Sequence, residues 1–399
     1  MHDNLHADLV FVSMEPWDEI WRRNQFLCAG LLRRHAGMRI LFVEPPRDVS
    51  NALRTRRWEV MQPAGADPAE FGGRLRRFRP LKLLPNGSAA GRGFNEWLSR
   101  RQIAAQMKKM RLEAPLLWIN AHYAGHLAGR LEECAVIYDI TDDWTELEQC
   151  AQGTALTRQQ DAALCRAADA VIVCSERLVE LKKTMCSELH LIPNGVDPEH
   201  YRCVLEGAGP LPAESAAWAR PVFGYTGTVH PDRLDLDLVE NVARSLPRGS
   251  IVLLGPNHLL PEQAARLQAC GNVHLPGPVP YARIPEFMRA FDACIVPHRV
   301  TAFTESLNPI KLWEYLAAGK PIVSRDVAGF RDYAAVVSIA RSSAEFVRAM
   351  QAALEEPAGA GIARRELVRG HSWETRLDQV EAVLAGCQAD GALRTLPVH

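Results

Sequence analysis

The sequence predicts an α/β protein of two doubly wound parallel-sheet domains that face a cleft. Three observations carry this. Short apolar runs of strand length alternate with helical patterns along the whole chain. One turn-rich stretch near the middle interrupts the alternation. A length of 399 residues also exceeds what one ordinary core holds.

The first series of buried-strand patterns is "DLVFVS" (8–13), "RILFVE" (39–44), "PLLWIN" (115–120), "AVIYDI" (135–140), "AVIVCS" (170–175) and "LHLIP" (189–193). Helical patterns such as "NEWLSRRQIAAQMKKMRLE" and "TRQQDAALCRAA" separate most of them. "IPNGVDPEHY" (192–201) combines Pro, Asn-Gly and Asp-Pro and marks a boundary. The Gly/Pro/Ala-rich stretch after it reads as a linker. The second series is "PVFGYTG", "IVLLGP", "VHLPG", "ACIVPH", "PIVSR" and "AVVSIA", followed by a final helix over about 373–384. The expected domains are 1–195 and 196–370, with a helix over 371–390. Open parallel sheets bind ligands beyond the carboxyl ends of their strands.

The composition is that of an ordinary globular chain, 47% hydrophobic and 23% charged. A formal net charge of -1 gives no global field for nucleic acid. From 47 to 111, however, there are 15 Lys/Arg against 5 Asp/Glu. That segment is either solvated surface or a face for an anionic partner or acidic membrane leaflet. The ten cysteines show no CxxC and read as reduced thiols of a cytosolic protein. The first residues do not look like a signal peptide, and no window is apolar enough for a transmembrane helix.

"NPIKLWEYLAAGKPIV" (308–323) carries the main functional signal. A helix N-terminus leaves amides unpaired and carries partial positive charge, so it can hold an anion. Asn308 is the expected cap and Pro309 suits the first turn, with Ile310 next. Lys311 is unfavourable at that end of a bare helix. It becomes favourable if a diphosphate sits there. Glu314, three residues on, can accept hydrogen bonds from a ribose diol. The alternative for both is an exposed Lys/Glu pair.

"VFGYTGTVHPDR" (222–233) offers Gly227 for close phosphate approach, Thr228 as a donor, and His230 and Arg233 as charges. The turns "LLGP" and "LPGPVP", with Gly255 and Val279, either flank a flat base or are only turns. In the first domain, Asp139, Asp142 and Asp143 of "YDITDDW" suit a base, a metal ligand, an acceptor contact or simple capping. Trp17 and Arg22 of "MEPWDEIWRRNQF" suit sugar stacking and phosphate binding, or plain helix surface. His122, His126 and His298 have no metal spacing and read as structural.

With these pieces in place, the chain resembles the two-domain GT-B glycosyltransferases, whose domains are Rossmann-like, and more closely their retaining, family four type. The resemblance rests on "NPIKLWEYLAAGKPIV", "GYTGTV", "PGPVPYARIPEFMRAFDACIVPH", "IPNGVD" and the closing "HSWETRLDQVEAVL". "PWDEIWRRNQF" and "YDITDDW" are similar to bacterial enzymes of surface polysaccharide and teichuronic acid assembly. Two departures stand out. The family's first helix-motif glutamate falls on Ser306, beside Glu305, and "SMEPWDE" replaces the glycine-rich loop after the first strand.

The resemblance implies a nucleotide diphosphate sugar donor, retention at the anomeric carbon, no metal and no cofactor. The acceptor would be a glycan or a polyprenyl-linked lipid, reached from the cytoplasm at the inner face of the membrane. Lys311, Arg233 and the amides near Gly227 and 308–310 would stabilise the leaving diphosphate. Glu314 would hold the ribose, the loops around Gly255 and Val279 the base. Asp139, Asp142 or Asp143 would face the acceptor hydroxyl. Two other readings stay open: a sugar-nucleotide epimerase of the same fold, and a nucleotide-sugar binding protein without turnover.

Overall fold

The computed structural model describes residues 5, 7–146, 151–357 and 359–394. They divide into two units. One holds the residues up to Asp18, Arg22–Pro193 and those from Arg376 on; the other holds Glu19–Trp21 and Asn194–Thr375. Each unit is a parallel sheet with helices, as the alternating pattern predicts.

In the first unit the strands are Leu9–Val12 (β1), Ile40–Val43 (β2), Arg47–Asp48 (β3), Leu75–Phe78 (β4), Leu81–Lys82 (β5), Leu116–Ile119 (β6), Ala135–Ile140 (β7), Ala170–Val173 (β8) and Leu189–Leu191 (β9). Seven form one sheet in the order β4-β2-β1-β6-β7-β8-β9, and β3 pairs with β5 separately. β1, β2, β6, β7 and β8 are buried along their whole length, so their sequences are continuous apolar runs.

The short strands β3, β4 and β5 escape a hydrophobicity reading because they are basic. β4 is "LRRF". Leu75 is fully buried, Arg77 Nε donates to buried Glu44 at 2.7 Å, and the Arg77 N–H donates to Asp67 at 2.7 Å. The arginines enter the sheet edge because carboxylates are waiting for them. The helix Ala89–Met110 starts earlier than its apolar pattern, capped by Ser88, whose Oγ accepts from the Gly91 N–H.

The second unit has Val222–Thr226 (β10), Ser250–Leu254 (β11), Val273–Gly277 (β12), Ala293–Val296 (β13), Ile322–Arg325 (β14) and Ser338–Ala340 (β15). Their order is β12-β11-β10-β13-β14-β15, all parallel. The order reverses between β10 and β13, so a crevice opens beyond their carboxyl ends.

The stretch after Tyr201 is not a plain linker. It contains the helix Arg202–Glu206 and the turn Ala213–Ala217, and Val204 and Trp218 are buried in the unit's core with Phe287 and Phe291. Small residues disguised it, because only a few side chains anchor it. The last helix, Trp373–Arg394, runs past the expected end.

The crossing of β10 over the helix Ile284–Ala290 and Phe291 depends on Gly224. A Cβ at that position would stand 2.1 Å from the Phe291 ring. Gly224→Ala is expected to destabilise the chain by about 1–3 kcal/mol through overpacking, read as a lower denaturant midpoint. An unchanged midpoint would mean that Phe291 moves aside freely.

Candidate functional site

The loops beyond β10, β11 and β12 are stacked main chain on main chain. The Gly227 N–H donates to the Leu254 carbonyl at 2.8 Å, and the Gly255 N–H to the Gly277 carbonyl at 3.0 Å. Gly227 has φ +139° and Gly255 φ +146°, conformations closed to most side chains. A Cβ on Gly255 would lie 2.2 Å from the Gly227 carbonyl oxygen. The ladder continues as the Val229 N–H donates to Pro256 and the His258 N–H to Val229. Both glycines are therefore required by packing, and they form a floor without side chains.

The helix Ile310–Ala317 stands beside this floor. Its Tyr315 holds the end of β10: the Tyr315 hydroxyl accepts from the Thr226 N–H at 2.8 Å and from Thr226 Oγ1 at 3.2 Å. Lys311 lies over the Tyr225 ring, its Nζ 5.2 Å from the centroid. A Cβ on Gly227 would be 3.0 Å from Lys311 Cε and Nζ. Expected neighbours distant in sequence, Gly227 and Lys311, thus meet.

Arg233 lies over the Phe303 ring at 5.4 Å. Among the described residues neither the Lys311 ammonium nor the Arg233 guanidinium has a hydrogen bond or a carboxylate partner, although each is half-buried. Between their charges sits His298, buried just past β13, its Nε2 3.4 Å from the Tyr225 hydroxyl. Burial, then Lys311, then Arg233 push its imidazole well below the ordinary histidine range, so it is neutral near pH 7. Two cations and a neutral imidazole thus gather at a strand-order switch, an arrangement whose chemistry suits an anion.

The helix start differs from expectation. The N-cap is Pro309, and no side chain caps the helix. Asn308 instead turns to Asn194: its Oδ1 accepts from the Asn194 N–H at 2.9 Å, and its carbonyl from Asn194 Nδ2 at 2.6 Å. A complementary amide from the "PNG" turn outcompetes capping. Glu314 is half-buried and Oε1 accepts from the Tyr201 hydroxyl at 2.8 Å. Burial raises its carboxyl above the usual range, while Tyr201 and Lys311 pull it back. Glu305 is bound by both Nη atoms of Arg331 at 3.0 Å, and Ser306 is buried, donating to Phe303. Thr228 accepts through its carbonyl from Tyr225 Oη, and Val279 packs against the unit's core.

Several first-unit expectations need correction. Asp139 is fully buried, and both its oxygens accept from Arg23, at 3.1 and 3.2 Å. Arg23 also donates to the Pro193 carbonyl. Asp139 is therefore half of an internal ion pair and does not face solvent as an acceptor contact would. Trp17 is buried edge-on against Phe42 and Phe71, so it is not an open stacking platform. Asp143 is buried and accepts from the Thr145 N–H and hydroxyl, the capping alternative. Asp142 stays half-exposed. Arg22 is engaged with Asp18 and Glu15. Beyond β1, where a glycine-rich loop was absent, Asn24 Nδ2 donates to both Ser13 Oγ and Asn120 Oδ1 at 2.9 Å.

Tyr201, Tyr225 and Tyr315 were missed, and His298 was read alone. For Tyr225 and His298 the signal was a polar or aromatic residue at the end of an apolar run, which single-strand reading takes as core.

Residues 220–356 match the family described as Glycosyl transferases group 1. TuaH of Bacillus subtilis (strain 168), named as a teichuronic acid biosynthesis glycosyltransferase, is 25% identical over 213 residues, covering 48% of this chain and 50% of its own. The chain thus spans about half the length of that curated relative. HepE of Anabaena, in a crystal structure with UDP and glucose, has TM-score 0.67 and 15% identity, over 95% of this chain and 100% of that one. A trehalose-phosphate synthase (UDP-forming) of Burkholderia vietnamiensis has TM-score 0.67 and 12% identity, over 97% and 99%. The fold is GT-B, and residues 220–356 are similar to the group 1 glycosyltransferase domain.

Breaking a buried pair strands a charge. Arg23→Met is expected to cost about 3–5 kcal/mol of stability, read from denaturant unfolding. A fully stable variant would return Asp139 to the list of residues available for chemistry.

Proposed function

We propose that this chain transfers a sugar from a nucleoside diphosphate donor to a glycan or lipid-linked acceptor in surface polysaccharide assembly. The observation that carries the reading is the pair of cations without a salt bridge, Lys311 and Arg233, around the glycine floor. The matched family and the UDP complex of HepE support the same reading.

When the bond from the anomeric carbon to the diphosphate breaks, negative charge grows on the leaving group. Cations already fixed in place stabilise that charge without reorganising. Lys311 and Arg233 supply it, with the amides near Gly227 and at Ile310. His298, neutral, leaves this charge uncompensated without adding a titrating proton. Glu314 holds the ribose, and the turns at Gly255 and Val279 the base. Transfer proceeds with retention and without a metal ion, and Asp142 meets the acceptor. The direct test is a screen of sugar nucleotides for nucleotide release, with and without polyprenyl-linked acceptors. Release that requires acceptor supports transfer. Binding without release under every acceptor identifies a binding protein instead.

We also place the protein on the inner face of the cytoplasmic membrane through its basic segment. No helix among the described residues is long and apolar enough to cross a membrane. Yet Leu53, Trp58, Leu83, Leu84, Phe94 and Trp97 are exposed within that segment. Phe94 and Trp97 pack together, and the Arg101 guanidinium lies 5.2 Å from the Trp97 centroid. Exposed aromatics among arginines match a headgroup layer of negative charge over hydrocarbon.

Lys311→Ala is expected to lower turnover roughly 100- to 1,000-fold while leaving the melting temperature unchanged, because Lys311 supports no ion pair. Equal turnover in the purified variant and parent removes Lys311 from catalysis. The protein is expected to co-sediment with vesicles rich in phosphatidylglycerol, less so as salt rises, and not with phosphatidylcholine vesicles. Binding indifferent to lipid charge would refute the membrane assignment.

A further inference from the structure

Glu314 has one carboxylate oxygen engaged. Oε1 accepts from Tyr201, and among the described residues Oε2 has no partner. A carboxylate on a long side chain turns freely unless one oxygen is tied. Tyr201 ties it, from a ring that is wholly buried. The Tyr201 and Tyr281 rings meet edge-on at 6.5 Å and 79°, and their hydroxyls interact. Tyr201 has one hydroxyl hydrogen, and it goes to Glu314. Tyr281 therefore donates to Tyr201, and the chain runs Tyr281 to Tyr201 to Glu314.

The far end of this chain is also held. Tyr281 stacks face to face on His200 at 4.0 Å and 13°, and on Trp21 at 6.2 Å and 23°. His200 Nε2 lies 3.1 Å from the Tyr281 carbonyl oxygen and donates to it. Tyr201 meets His200 edge-on at 4.9 Å. Consecutive hydroxyl donors polarise one another in a low-dielectric interior, which strengthens each bond. Nothing in the stability of the helix Ile310–Ala317 calls for such an arrangement around one half-buried carboxylate. A demand on that carboxylate's orientation does.

We propose that Tyr201 and Tyr281 are positioning residues whose hydroxyl relay aims Glu314 Oε2 at the ribose diol, and so sets the preference for ribo- over 2′-deoxyribonucleoside diphosphates. The inference rests on the donor reading above. Tyr201 touches Glu314 and acts through it.

The test is calorimetric titration of the full chain with UDP, GDP and ADP and with their 2′-deoxy forms. The parent is expected to bind at least one ribonucleotide about tenfold more tightly than its deoxy form, the weight of one good charge-assisted hydrogen bond. In Tyr201→Phe that ratio is expected to fall to about twofold or less, with deoxynucleotide affinity unchanged. Tyr281→Phe removes only the outer link, and a smaller fall in the same direction is expected. It also decides the matter if Tyr201→Phe fails to fold. A merely structural role would weaken both sugar forms equally, leaving the ratio intact; that result overturns the relay while the donor site stands. A parent that binds without discrimination also overturns the relay alone. A parent that binds none of the six nucleotides sinks the donor reading itself, and the relay with it.

Discussion

The approach of the Gly255 backbone to the Gly227 carbonyl is the constraint on which the second unit depends. At 2.2 Å from an added Cβ, only hydrogen fits. This closeness lets three strand-end loops lie one upon another and brings Lys311 over Tyr225 beside a turn with no side chain. Tyr315 then fixes the same turn from the helix, through Thr226. The cations come last. They converge at the mouth of the β10–β13 reversal because the loops beneath them are thin.

The electrostatics follow from that geometry. Two half-buried cations without a direct salt bridge are a standing cost, since each loses hydration and only Lys311 is drawn to a carboxylate, that of Glu314. The interior ion pairs of the chain show the usual remedy: Arg23 with Asp139 and Lys182 with Asp161 are closed pairs. Around Gly227 the remedy is withheld. The neutral state of His298 fits the same pattern, because a third charge there would meet only repulsion.

Most of the fold was legible from apolar runs, because a strand buried on both faces leaves no choice of residue. β6 and β13 are of that kind. β4 was invisible because Leu75 is its only fully buried residue and Arg77 finds its carboxylate, Glu44, far away in sequence. The segment holding Trp218 was misread for a related reason: sparse anchors in a small-residue background look like linker. Around the glycine floor, the meeting of Lys311 with Gly227 was legible because a lysine at a helix start and a glycine after a strand are both awkward in a bare fold. Asp139 and Trp17 misled, since the pattern that ends a strand with an acid is the same whether Arg23 or solvent awaits it. Tyr201 could not be found from spacing. Its importance is a contact with Glu314, 113 positions away.

The glycine floor has a consequence for how such a pocket can diverge. Peptide groups cannot be exchanged by point substitution, and the two residues that shape them tolerate no replacement. Variation over this floor must therefore come from the side chains around it, while the peptide surface beneath is inherited unaltered. A descendant could change those side chains and keep the same main-chain base.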